Sequence, residues 1–425
     1  MPSLELAYGR QRVNADLPAR NYLGTLAPRP APTLDDPAAA TAAALRAPIA
    51  APPLAALARP GMRVTVMVND ITRVVRTDAF LPAVLDELNR AGVPDADVTL
   101  LMANGTHRGH TPEELRFILG AGVLARAGRI LDHDARDEAN TEYVGTTSRG
   151  TPVRYSRVAL AADLLLLTGE INYHVAAGYS GGPKSLFPGA AAFSSVEANH
   201  RFMTHPGAAP GHLDDNPLYL DIVEASRLFP KPIFVVNVLL DGAQNFVRVL
   251  AGDHVQAHRA GCRLVDALFG VPCARLADFA IAGCGGYPRD INLYQAQKAL
   301  TNAALAVRTG GALILVAECS DGHGSDAFVD FARANPDIYA ARARVEANFR
   351  LGHHKVYLFS RALTRCRGYL LSALPPDLVR ACYLEPVPDL QGAIDHLLAD
   401  LGPAAQGYVV PEAYVTVPQP AKEGP

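Results

Sequence analysis

Four short polar clusters in this sequence carry side chains able to move protons or hold anions. The first is Asp70-Ile71-Thr72-Arg73, where the guanidinium offers a rigid two-pronged donor suited to a carboxylate or phosphate; a turn closed by a local Asp–Arg pair explains the string equally well. The second is Asn104-Gly105-Thr106-His107-Arg108. Histidine in a glycine-containing loop suits proton transfer near neutral pH, although a plain surface histidine is the simpler reading of that string alone. The third and densest runs Gly169-Glu170-Ile171-Asn172-Tyr173-His174 and then Gly178-Tyr179-Ser180-Gly181-Gly182-Pro183-Lys184-Ser185. It falls one residue short of GxxxxGKS, since Pro183 stands where the second glycine belongs and denies the loop both flexible φ and a backbone N–H. Gly-rich backbone can still cradle a phosphate, and Lys184 suits a phosphate ligand, a Schiff-base amine or a site of covalent attachment. His200 follows six residues into a helix expected to be capped by Ser194 in a box with Glu197. His174 and His200 on one ion would not make a zinc pattern, because no third ligand has obvious spacing. Asp214-Asp215 reads as the approach to a helix opened by Asn216-Pro217. The fourth cluster is Gly283-Cys284-Gly285-Gly286-Tyr287-Pro288, followed by Tyr294, Gln295 and Lys298 on one helix face. Its glycines do not complete GxGxxG, and no acidic residue stands where a ribose partner belongs before Glu318.

The elements that must position these clusters alternate. Buried-strand runs at Arg63–Asn69 and Asp97–Ala103 take turns with helical patterns at Ala79–Arg90 and Pro112–Leu119, which implies a parallel sheet covered by helices. Thr111-Pro112-Glu113-Glu114 is a capping-box helix start. Further strands are expected at Thr151–Ser156, Asp163–Thr168 and Ile233–Leu239, with a helix at Val255–Phe269. The alternation restarts after a boundary near Gly270–Arg275, with a strand at Phe279–Gly283, a helix over Ile291–Arg308, a strand at Ala312–Ala317, helices near Ala327–Ala334 and Tyr339–Ala347, and a strand at Val356–Phe359. The expected organisation is α/β, with an N-terminal domain over 1–272, a smaller C-terminal one over 273–425, and largely parallel sheets. A short hairpin across Gly9-Arg10 opens the chain, a helix lies near Ala38–Leu45, and Pro418–Pro425 is expected to fray. Polar residues just past strand ends deserve attention because open α/β sheets bind ligands there.

Composition narrows the classes. The 425 residues carry 39 Lys plus Arg against 42 Asp plus Glu, a formal charge of -3, and no basic run, so nucleic-acid binding driven by counterion release is not expected. The six cysteines form no CxxC pair and read as buried thiols of a reducing compartment. No signal-like stretch opens the chain and no apolar run approaches a membrane span, so a cytoplasmic protein with a small-molecule partner is expected.

Taken together, DITR, NGTHR, NYHVAAGYSGGPKSLFPG, SSVEANH, GGYPRDINLYQAQK and AECSDGHGS resemble, in order and over almost the whole chain, the lactate racemase family. That resemblance implies two α/β domains with an active-site cleft between them and a nickel-pincer nucleotide (nickel pyridinium-3,5-bisthiocarboxylic acid mononucleotide) made by dedicated cofactor-forming enzymes. It implies that Lys184 carries the pincer, that His200 is the protein ligand of nickel, and that His107 and His174 are paired acid/base groups on opposite faces of the substrate. Arg73, Gln295 and Lys298 would hold the substrate carboxylate, supported by Asp70 and Tyr294, with Asp70 also beside the cofactor; Gly178, Ser180, Gly181 and Gly182 would lie against the nucleotide phosphate. The implied reaction is racemisation or epimerisation of a 2-hydroxy acid by reversible hydride transfer through a 2-keto acid, a route that spares an imidazole the removal of a weakly acidic C–H proton. Two departures stand out. Val74 follows Arg73 where the family often has Pro, and the chain has no Trp where lactate-specific members place one, in the region of His353-His354-Lys355; a lost ring changes pocket lining and selectivity. Alternatives of other classes are a nucleotide-dependent transferase using the degenerate glycine loop and a non-catalytic carboxylate sensor.

Overall fold

A computed structural model describes residues 3–73 and 75–420; Val74 and the last five residues of the expected frayed tail lie outside the described residues. The chain divides into two compact units, one of residues 31–266 and the other of residues 1–30 together with 267–425. The compact units divide close to the expected boundary and differ from the expected organisation in one segment. The first thirty residues belong with the C-terminal unit, because Tyr22–Thr25 pairs in parallel with Gly407–Val410 as an edge strand of that unit's sheet.

The 31–266 unit is built on six strands in the order Phe246–Gly252, Ile233–Leu240, Leu164–Glu170, Val64–Asn69, Val98–Ala103, Arg129–Asp132. All neighbours run parallel except Phe246–Gly252, an antiparallel edge strand. The central strands are apolar in both directions, Val64, Val66, Met67 and Val68 with Leu164 to Leu167 all being buried, as a sheet covered on both faces requires. The chain enters at Val64–Asn69, moves outward through Val98–Ala103 to Arg129–Asp132, then returns to the other side of its starting strand. That reversal places the crevice at the carboxyl ends of Val64–Asn69 and Leu164–Glu170. Thr111 caps the helix Pro112–Arg126 in a full capping box with Glu114, as expected.

The second unit has a parallel sheet in the order Glu385–Val387, Arg367–Leu371, Val307–Val316, Ala277–Gly283, Gly407–Val410, Tyr22–Thr25. Period-two alternation divides its central strand between two cores. Ala280 and Ala282 pack with Leu293 and Leu300, while Phe279 and Ile281 pack with Leu390, Ile394 and the hairpin residues Leu4 and Leu6. The hairpin turn also fills the second glycine loop. Gly9 accepts the Tyr287 N–H at 2.9 Å and gives its own to Asp290 at 2.7 Å, and a Cβ on Gly286 would meet the Gly9 carbonyl at 2.8 Å. The loop that lacks a dinucleotide signature is thus occupied by the chain itself.

Four local expectations are corrected. Val356–Phe359 lies within the helix His354–Leu363, whose residues 354–360 are all buried; a short all-apolar run has no period by which to tell helix from strand. The helix expected over Ile291–Arg308 ends at Ala303, and Val307 already begins a strand. The helix Phe193–His200 starts at the N-cap Ala192 without a side-chain cap. The expected cap Ser194 thus lies inside the first turn, where its N–H is taken by Glu138 Oε1 at 3.0 Å. Finally, Val417–Pro420 is a strand parallel to Gly270–Cys273 rather than a frayed end.

Candidate active site

In the 31–266 unit one cavity is lined by Asn69, Asp70, Arg73, Asn104, His107, His174, Ser180, Gly181, Lys184 and His200, among others. Its volume is about 130 Å³, room for an acid of a few carbons. The first three polar clusters of the sequence therefore meet, each delivered by the carboxyl end of a neighbouring parallel strand. Asp70 follows Asn69, Asn104 follows Ala103, and the His174–Lys184 loop follows Glu170.

Asp70 is buried, and its Oδ2 accepts the His107 Nδ1–H at 2.5 Å while Oδ1 accepts the Thr72 hydroxyl at 2.8 Å. The Arg73 N–H closes the 70–73 turn on the Asp70 carbonyl at 3.0 Å, while the Asp70 side chain is left to anchor a histidine. Burial pushes its carboxyl up, but the His107 hydrogen bond and charge, with help from Arg73 and Thr72, leave it below the usual carboxylate range. With Nδ1–H engaged, neutral His107 carries its lone pair on Nε2. The loop itself is braced by His110, whose Nε2 accepts the Ile71 N–H at 3.1 Å while its Nδ1–H goes to Asp132 at 2.6 Å. Asp132 also accepts from the Asn104 amide at 3.0 Å.

His174 is set the other way round. It sits in a two-residue ladder opposite Gly178, and its Nδ1 accepts the backbone N–H groups of Ala176 (3.3 Å) and Ala177 (3.0 Å). Neutral His174 thus carries its hydrogen on Nε2. One imidazole presents an acceptor and the other a donor. The helix Gln256–Phe269 fixes this loop at two points. Asp266 Oδ1 accepts from Tyr173 at 2.7 Å and from Tyr179 at 2.5 Å, the residue pair that closes the ladder, and His258 Nε2–H donates to the Ser180 carbonyl at 2.9 Å.

Of the expected phosphate residues, Ser180 and Gly181 line the cavity, whereas Gly178 and Gly182 face packed protein. A Cβ on Gly182, where φ is +57°, would stand 2.4 Å from the His258 ring, and its N–H is taken by Asn237 Oδ1 at 3.0 Å. Only a single 3-10 turn, Gly182–Ser185, follows, so nothing here reproduces a P-loop helix. His200 lies at the end of its helix and is held neutral, its pKa depressed to about 3 by burial and then by the nearby Lys184 charge. Among the described residues, no cluster of three His, Cys, Asp or Glu is placed to bind a metal alone.

In the other unit, Tyr294, Gln295 and Lys298 share the helix Leu293–Ala303. Lys298 Nζ donates to Gln295 Oε1 at 2.7 Å and to the Tyr414 hydroxyl at 2.6 Å. Lys355 is buried against Gln297 (2.8 Å) and over the Tyr294 ring (3.8 Å), and the Tyr294 hydroxyl lies 3.5 Å from His354. Sequence reading missed Tyr414, Asp132, His258 and Asp266, because each reaches its cluster from a remote element, and it missed His110, which stands just past the second cluster but acts through Ile71 and Asp132 rather than in the cavity.

An α/β enzyme with a strand-end cavity holding two oppositely polarised histidines, a lysine and a neutral third imidazole is the class this geometry defines. Family models for the lactate racemase N-terminal and C-terminal domains match residues 8–211 and 273–417. Lactate racemase of Lactiplantibacillus plantarum (strain WCFS1) is 32% identical over 423 residues, 97% of this chain and 98% of that protein. Lactate racemase of Thermoanaerobacterium thermosaccharolyticum is 33% identical over 341 residues, 79% of each. The solved lactate racemase apoprotein from Thermoanaerobacterium thermosaccharolyticum superposes with a TM-score of 0.91 at 28% identity, covering 98% of this chain and 100% of that one. A Thermotoga maritima protein shares the fold at a TM-score of 0.64 and 18% identity, over 86% and 94% of the two chains. The chain belongs to the lactate racemase family and is an isomerase. Among the described residues, no helix is long and apolar enough to cross a membrane.

Proposed function

We propose that the protein racemises or epimerises a small 2-hydroxy acid, using a nickel-pincer nucleotide made by separate cofactor-forming enzymes, in the cytoplasm. The observation that carries this reading is the convergence of Asp70–His107, His174, Lys184 and His200 on one cavity in a chain of this family. The residues suit such a group. His200 is a neutral imidazole able to ligate a metal, Lys184 brings an amine to the same wall, and Asn69 and Asn104 each leave a buried Oδ1 without a hydrogen-bond partner, a costly state that a ligand donor would relieve.

Lys184 would carry the cofactor, His200 would hold nickel, and Ser180 and Gly181 would line the path toward the phosphate, with Gly178 and Gly182 shaping that loop from behind. When bound, the cofactor supplies a hydride acceptor, so that the stereocentre is lost in a 2-keto acid and rebuilt from either face. His107, its lone pair directed by Asp70, would take the hydroxyl proton as the 2-keto acid forms and return it as the hydroxyl is rebuilt, while His174 would give its Nε2–H as a hydrogen bond to the substrate oxygen on the other side and would act as an acid there only in its doubly protonated form. Arg73 would bind the substrate carboxylate from the cavity wall, and Gln295, Lys298 and Tyr294 are the further carboxylate-holding residues that the family resemblance implies. The buried Lys355 and His354 beside Tyr294 stand in the region where lactate-specific members carry Trp, and favour a more polar substrate than lactate. The test is to incubate the cofactor-loaded enzyme with enantiopure 2-hydroxy acids of graded polarity and to follow both antipodes by chiral chromatography. Failure to convert any of them would end the reading. Intact mass of the loaded protein and of Lys184→Ala reports attachment separately.

A further inference from the structure

The residues beside His200 carry a further step, which rests on the reading of His200 as the metal ligand. Asn199 is wholly buried, and its amide has a fixed sense: Nδ2 donates to Asp221 Oδ2 at 2.7 Å and to the Leu218 carbonyl at 3.4 Å. Asp221, also wholly buried, accepts in addition the hydroxyls of Thr147 at 2.5 Å and Thr151 at 2.8 Å. An acceptor-only carboxylate surrounded by donors admits only the NH₂ end of Asn199. The Asn199 oxygen is therefore turned to His200 Nδ1, 3.2 Å away. A ring nitrogen directed at an acceptor holds the hydrogen, which leaves the lone pair on Nε2.

We propose that Asp221 and Asn199 are positioning residues that hold His200 as its Nδ1–H tautomer, so that Nε2 is presented as a ready metal ligand. The hydrogen bond on the non-ligating nitrogen fixes the ring and raises its basicity, as outer partners of histidine ligands do. A buried carboxylate is expensive to desolvate, and three of its neighbours' polar groups, the Thr147 and Thr151 hydroxyls and the Asn199 amide, are spent on it; orientation of a ligand gives that expense a purpose that packing alone does not.

The first measurement needs no substitution in the relay. Long-range ¹H–¹⁵N spectra of the unloaded protein, labelled at histidine, assign His200 by its loss in His200→Gln. The expected pattern is a protonated Nδ1 and a bare Nε2; the opposite tautomer would overturn the proposal. The second follows nickel content of the loaded protein during dialysis against a chelator. Asn199→Leu should lose nickel on the order of 10- to 100-fold faster than the parent, while Asn199→Asp, able to share a proton with Asp221 and keep an oxygen toward Nδ1, should recover part of the retention. A folded Asn199→Leu, judged by an unchanged melting transition, that keeps nickel as the parent does would also overturn it. If His200→Gln itself kept nickel at the parental rate, the ligand role of His200 would fail, and an unaltered Nδ1–H signal in the unloaded parent would mark that failure as separate from the tautomer claim.

Discussion

The two acid/base candidates differ in what holds them, and the difference is testable. His107 leans on a buried carboxylate, His174 on two backbone N–H groups. Asp70→Asn replaces an acceptor by a group that can donate, which releases the tautomer that leaves Nε2 open. Turnover in both directions should fall by about 10²- to 10⁴-fold, the range spanned by losses of a positioned base or its orienting carboxylate, with KM changing far less; initial rates from each enantiomer check it. Stability gives a second reading of the same residue. Because its folded pKa is lowered, Asp70 contributes stability that is complete above the unfolded carboxyl value near 3.9 and is lost as pH falls through its lower folded value. Removing it should therefore destabilise the protein at neutral pH and matter less under strong acid, as denaturant titrations at several pH values would show. His107, His174, Lys184 and His200 drew attention only through several strings read together, since alone His107 reads as a surface histidine and His200 as a lone helical one. Asp221, Asp266 and Tyr414 drew none, since their partners lie up to 119 residues away, a separation at which residue type alone says nothing about contact.

At the scale of elements, the helix Gln256–Phe269 does what no catalytic string reveals: it clamps the His174–Lys184 loop through Asp266 at one end and His258 near the other. His258 is wholly buried and its pKa is depressed to about 4, chiefly by burial. A histidine kept neutral in the fold contributes stability that is present above its unfolded value of about 6.5 and drains away as pH falls toward 4. Replacing it with Gln, which keeps an N–H for the Ser180 carbonyl, should flatten the fall in unfolding free energy between pH 6.5 and 4 by up to about 3 kcal/mol. Denaturant unfolding at the two pH values decides, and an unchanged slope would show that His258 does not control it. Gly182→Ala attacks the same clamp by volume. With φ at +57° and the His258 ring 2.4 Å from the new methyl, a loss of about 2–4 kcal/mol is expected from backbone strain plus overpacking, read as a lower denaturation midpoint with activity lost in parallel. Which elements the sequence could announce follows from their signals. The capped helix opening at Pro112 was legible over Pro112–Leu119, up to the non-helical Gly120 that interrupts Pro112–Arg126, whereas Val356–Phe359 looked like a strand because that run is apolar throughout.

At the scale of the whole molecule, the sequence made the two-unit organisation visible through its restart of strand–helix alternation, but it hid which unit owns the first thirty residues. Nothing local marks that debt, because a hairpin's register shows which residues face inward and not which sheet they face. In the structure Leu4, Leu6 and Leu17 sit in the core formed by Phe279, Ile281 and the helix Leu390–Leu401, and Tyr22–Thr25 completes the sheet edge. Burial of three leucine side chains contributes about 5–9 kcal/mol at roughly 1.5–3 kcal/mol each, comparable with the entire stability of a typical domain, about 5–15 kcal/mol. A fragment of residues 267–425 should therefore fail to give a cooperative thermal transition and should bind an apolar dye, because its sheet would expose Phe279 and Ile281 and leave the Gly407–Val410 edge unpaired. Fusing residues 1–30 ahead of residue 267 through a flexible linker should restore the transition, and the 31–266 fragment, in which the cluster around Val66, Leu100 and Leu166 includes, among the described residues, none of those thirty, should unfold cooperatively without help. Cooperative folding of 267–425 alone would mean that the hairpin is an accessory of that unit and not part of its core.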